Sequence, residues 1–192
     1  MSNATFVQRR SFWAPVNPLS ASYTIDVHID SCKQTLTGAE TISLVNHSSV
    51  PLEKLAIRGG LGKGSTFHLR IDGQKPRLTP KPEETDTDTP ILVELSDPLE
   101  PDGSVEIQID FQRPFPALQY GALMLRDWHP RLWWGYPTHD DFEVRIGVPE
   151  GYQVVASGRM DSDVGCTPCG YTYRGYGVRT YGVVIARDPE KA

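Results

Sequence analysis

The sequence predicts an all-β domain: an antiparallel two-sheet sandwich or saddle-like pair of packed sheets, with little or no helix. Three observations carry this. Apolar and polar residues alternate with period two over long stretches. No window long enough for a helix, about 12 residues, shows a helical period. The 16 prolines and 17 glycines fall mostly between the alternating runs, where turns are needed. Alternation is informative because successive side chains of a strand point to opposite faces, leaving one face buried and one wet.

Taken in chain order, the first run is residues 23–30, where Tyr23, Ile25, Val27 and Ile29 alternate with Thr24, Asp26, His28 and Asp30. Weaker strands are expected at 34–46, 52–58, 67–72 and 91–96. A second strict alternation sets Val105, Ile107, Ile109 and Phe111 against Glu106, Gln108 and Asp110. A third places Phe142, Val144, Ile146 and Val148 around Glu143 and Arg145. Further strands follow at 152–158, 170–174 and 176–186. Asp72-Gly73 and Asp102-Gly103 are tight-turn dipeptides of the kind that link neighbouring strands. Met1 to Ala4 reads as a cloning remnant, which leaves 5–192 as a single domain. An acidic, proline-rich loop at about 79–90 is too short to divide it, and its run of Glu83, Glu84, Asp86 and Asp88 reads as a solvated surface.

Composition excludes several classes. A net charge of −5 with interspersed signs provides no basic face for nucleic acid. No stretch approaches the roughly 20 apolar residues of a spanning helix, so direct membrane insertion is not expected. The N-terminus lacks the apolar core of a signal peptide, and the sequence assigns no compartment. Three cysteines give no disulfide framework, so stability must come from a hydrophobic core.

Zinc hydrolysis by the common helical motif needs His-Glu-x-x-His, two imidazoles one turn apart on one metal. The five histidines, at 28, 47, 68, 129 and 139, include no pair four apart, so no catalytic residue is assigned in this chain. His28 and His68 fall on the polar faces of strands, and His47 follows a strand in a turn. Cys166 and Cys169, followed by Gly170, resemble one knuckle of a structural zinc site. A closed site needs four ligands, and a turn carrying two thiols is the plainer reading. Residues 59–65 carry a glycine-rich stretch, but Ile57 and Gly64 stand where a phosphate loop needs Gly and Ser or Thr. The aromatic stretch Trp128, His129, Trp133, Trp134 and Tyr136 offers two readings. Large rings can anchor an irregular connection on the sheets or form an interdomain contact, and they can also stack on a ligand. The first pair of readings is preferred.

Asp127 to Pro130, then His139 to Val144, then Val148 to Tyr152, resemble the second half of the N-terminal domain of the aminopeptidase N (membrane alanyl aminopeptidase) family. Val155-Ala156-Ser157-Gly158 is similar to the closing of that family's next strand. In the first half, Tyr23 to Asp30, Leu36 to Ile42 and Asn46 are similar to its opening hairpin. The resemblance spans about residues 20–187 and implies a non-catalytic β-domain of a zinc metallopeptidase. It also implies a helical catalytic domain of the same polypeptide as partner, with zinc as that domain's cofactor and none in this chain. The family's Ala-Arg and Phe-Pro-Cys segment has no counterpart in Leu123 to Trp128, so no substrate residue is carried over. From the residues alone, the alternative is a free-standing binding module whose aromatic loop takes a glycan or a protein.

Overall fold

The computed structural model describes residues 18–59, 64–79, 89–115, 122–134, 138–161 and 170–187. Among these there is no helix. The chain opens with a long hairpin, β1 (Leu19–Asp30) and β2 (Thr35–Asn46), paired in unbroken register from Leu19↔Asn46 to Asp30↔Thr35. Next come β3 (Leu52–Arg58), β4 (Thr66–Ile71), β5 (Arg77–Thr79), β6 (Ile91–Leu99) and β7 (Ser104–Pro114). The short strands β8 (Ala122–Leu125) and β9 (Arg131–Leu132) precede β10 (Asp140–Gly147) and β11 (Tyr152–Ala156). The last three are β12 (Arg159–Met160), β13 (Gly170–Val178) and β14 (Val183–Arg187).

Seven strands form the large sheet, in the order β12-β13-β10-β1-β2-β7-β4. A four-stranded sheet, β5-β6-β3-β9, and a three-stranded sheet, β11-β14-β8, complete the architecture. Inward residues of all three meet in one core, among them Ile25, Leu44 and Val144 of the large sheet, Ile57 and Ile91 of the second, and Val183 and Ile185 of the third. Burying each such side chain contributes about 1.5–3 kcal/mol, which is what the period-two pattern secures. Space is managed locally too. A Cβ on Gly38 of β2 would stand 2.5 Å from the Phe111 ring tip, so only glycine lets that ring lie across the strand.

The strong alternations become β1, β7 and β10; Asp72-Gly73 makes a two-residue turn with both φ positive, 47° and 79°, closed by the Ile71↔Gln74 bridge, although β4 before it and β5 after it belong to different sheets. That is the primed turn whose twist suits a hairpin. Other expectations need correction. β1 and β10 pair in parallel, which alternation cannot distinguish from antiparallel pairing. The layer facing the large sheet is two sheets. The expected strand 176–186 is broken between Val178 and Val183, because the chain there leaves the large sheet for the three-stranded one. Of the expected strand 152–158, β11 ends at Ala156 in the three-stranded sheet, and β12 follows separately at 159–160 in the large one. Asp102-Gly103 turns tightly, with Gly103 N–H donating to Glu100 O at 2.9 Å, but it carries the chain between sheets and not between paired neighbours. Residues 80–88 of the acidic loop and 60–63 of the glycine-rich stretch lie outside the described residues.

Candidate functional site

The aromatic stretch is where the three sheets join. β8 belongs to the three-stranded sheet and β9 to the four-stranded sheet, so residues 126–130 bridge them over the large sheet. Asp127 makes the bend with φ of 45°, and its carbonyl accepts from Arg113 Nη1 at 3.0 Å. Its carboxylate meets Arg131 Nη2 at 3.0 Å. Trp128 is fully buried, and its Nε1–H donates to Tyr181 O at 3.0 Å. That bond ties the bridge to the segment between β13 and β14. Leu132 N–H donates to the Tyr23 hydroxyl on β1 at 3.2 Å, and Trp133 N–H to Ala56 O on β3 at 2.7 Å. The large and four-stranded sheets therefore each hold this stretch by a named contact, and Tyr181 holds it from the segment that leads into the three-stranded sheet.

His129 faces Glu40 on β2, Nδ1 to Oε2 at 3.3 Å, with the two residues only 3% and 2% exposed. The Pro130 carbonyl, 2.9 Å from the same nitrogen, can only accept, so Nδ1 carries a proton. Tyr23 and Phe142 stack at 4.7 Å, and both meet the imidazole edge-on. Burial raises the Glu40 carboxyl, against the pull of His129. Burial likewise raises Asp140, which accepts from the Thr138 hydroxyl at 2.7 Å. A general acid or base must reach a substrate proton within hydrogen-bond distance. Sealed inside, the Glu40–His129 pair cannot, and its role is to seat the stretch on β2.

No family model matches the chain, and no curated protein matches it in sequence. Solved structures do. An M1 zinc metallopeptidase from Deinococcus radiodurans aligns with a TM-score of 0.61 at 16% identity, covering 88% of this chain and 42% of that one. A mutant M1 zinc metallopeptidase from that organism, bound to a Tyr-Ser-Ala substrate, gives 0.61 at 17%, with the same coverages of 88% and 42%. A two-domain M1 zinc metallopeptidase mutant bound to L-tryptophan gives 0.60 at 16%, covering 89% and 43%. This is the fold of part of an M1 zinc metallopeptidase. The chain spans about 42% of the length of the metallopeptidases it matches.

Within this metallopeptidase fold the sequence-derived candidates separate. Trp128 and His129 are buried in the core of this domain. Trp133 and Trp134 are half-buried; the Arg58 guanidinium lies 4.6 Å from the Trp133 ring centroid, a cation–π contact. Tyr136, Cys166 and Cys169 lie outside the described residues. Among the described residues, no group of three or more His, Cys, Asp or Glu stands close enough to hold a metal ion. His28 and His68 are exposed on the outer face of the large sheet, where Asp26 and Asp110 help line a shallow basin of about 580 Å³. Sequence reasoning missed the role of Glu40. The signal was present: Glu40 stands between Gly38 and Ile42 on the inward face of β2, a charged residue where the period demands an apolar one.

Proposed function

We propose that this chain is the non-catalytic N-terminal β-domain of a zinc aminopeptidase-type metallopeptidase. It packs against a helical catalytic domain of the same polypeptide and helps wall the substrate cleft. The observation that carries this reading is the likeness over 88% of the chain to a 42% portion of an M1 zinc metallopeptidase. The sequence resemblance at 23–30, 139–144 and 148–152 supports the same reading. Zinc is assigned to the remainder of the parent, where it would activate the water that cleaves the amide bond at a peptide's N-terminus. This chain's part is to position and enclose, with Trp133 and Trp134 as its aromatic contribution to the domain contact. A glycan module using the same loop has less support. Trp128 is buried, and the Arg58 guanidinium lies 4.6 Å from the Trp133 ring centroid.

The test is the coding sequence beyond Ala192, followed by assay of its product. A His-Glu-x-x-His with a further Glu about 20 residues on, and zinc-dependent release of N-terminal residues by the longer polypeptide alone, is the expected result. A stop codon or an unrelated domain there would overturn the reading.

A further inference from the structure

Glu40 and His129 are an acid and an imidazole shut from water together, their side chains 0% and 4% exposed. In register, Glu40 stands between Ile25 on β1 and Ile109 on β7, whose side chains offer it no hydrogen bond. Its Oε2 shares the His129 Nδ1–H with the Pro130 carbonyl, and its Oε1 meets no donor among the described residues. A neutral carboxyl tolerates that setting. A carboxylate with one shared donor does not, because burying an uncompensated charge costs far more than burying a neutral polar group. The other charged and titratable groups facing this corner are Tyr23 from β1, Arg131 from β9 and Asp140 from β10. Arg131 is paired with Asp127 at 3.0 Å, and Asp140 accepts from the Thr138 hydroxyl. Burial raises the phenols of Tyr23, Tyr173 and Tyr181, which keeps them out of chemistry near neutral pH.

The backbone that His129 anchors has few other fastenings. β9 is only 2 residues long, and it pairs with β3 at Ile57↔Leu132 and Arg58↔Arg131, whereas β1 and β2 are 12 residues each and pair throughout. Leu132 N–H goes to the Tyr23 hydroxyl and Trp133 N–H to Ala56 O, single bonds to two different sheets. Segments held by few backbone bonds open at a lower cost than the whole molecule. We propose that the proton on the Glu40 side of the Glu40–His129 contact is a latch, whose loss releases the 126–134 stretch from β2 while the three sheets stay folded. Burial raises the Glu40 carboxyl. A group raised in the folded state contributes stability that is complete below its ordinary value and lost as pH rises through the raised one. The latch is therefore closed in acid and released as pH rises, and Trp133 and Trp134 at the end of the stretch move with it. Every group involved belongs to this chain, so the latch stands or falls apart from the domain reading.

Amide hydrogen exchange of the 192-residue chain across pH, read by nuclear magnetic resonance and corrected for intrinsic rates, is the test. The Leu132 and Trp133 amides are expected to exchange before those of the β1–β2 hairpin, through openings that low urea does not promote. Their protection should fall about tenfold per pH unit above the ordinary glutamate value of about 4.3, the slope of one proton lost per opening. Glu40→Gln, which keeps the neutral form at every pH, should abolish that slope, and Asp140→Asn should leave it in place. Exchange of Leu132 and Trp133 only together with the hairpin amides overturns the latch, because the stretch then opens only when the whole chain does. A slope near zero in the unaltered chain overturns it as well. Both of these outcomes are read without mutation, so they hold whether or not either variant folds. A slope that survives in Glu40→Gln, or disappears in Asp140→Asn, removes Glu40 as the source and overturns the proposal.

Discussion

Trp128 and Trp133 stand five positions apart in a stretch where sequence gave them the same standing, and the fold gives them opposite duties. Trp128 fills the core and satisfies the Tyr181 carbonyl, so Trp128→Ala removes packing and leaves a buried acceptor unpaired. The expected loss is about 3–5 kcal/mol, read as a lower urea midpoint at unchanged slope. Trp133 is half-buried with Arg58 beside it. Trp133→Ala should cost about 1 kcal/mol or less in the same assay. Equal losses would contradict the division of the stretch into anchor and surface. Aromatic identity was legible in the sequence. Which ring turns inward was not, because an irregular connection has no period to fix its orientation.

Alternation defined β1, β7 and β10 because each has a wet face to set against a dry one. It weakened wherever a strand was short or apolar on both sides, as in β8, β9 and β14. The β2–β7 pair shows how closely one element is fitted to the next. Gly38 opposes Phe111 in register, and a side chain at 38 would enter the ring. Gly38→Val is therefore expected to destabilise by about 1–3 kcal/mol through overpacking, with thermal unfolding as the check. A second variant, Gly38→Val with Phe111→Leu, should recover part of that loss; no recovery would place the strain elsewhere.

All three sheets share one core, and the bridge at 126–134 is held from the large sheet, the four-stranded sheet and the segment before β14. The chain should therefore unfold in one cooperative transition, with tryptophan fluorescence and far-ultraviolet dichroism superimposing. Two separated transitions would mean that the small sheets have independent stability. The buried acids give this stability a pH dependence. Glu40 and Asp140 are raised by burial, so the folded chain binds their protons more tightly than the unfolded chain. Their contribution favours folding at pH below the unfolded values and is lost as pH rises through the raised folded values. Glu40→Gln is expected to flatten the decline in urea midpoint from the ordinary carboxylate range upward. A decline of the same steepness would remove Glu40 as its source.

By itself the sequence determined the all-β class, the alternating strands β1, β7 and β10, and their inward faces. These follow from local period and turn chemistry, which neighbouring residues settle among themselves. Tertiary structure decided what depends on residues distant in the chain. Examples are the parallel β1–β10 pair, the split second layer, the seating of Trp128 under Tyr181 and the meeting of Glu40 with His129. A period says which face of a strand is dry. It does not say which strand will lie against that face, and partners such as Glu40 and His129, 89 positions apart, are set by how the layers close.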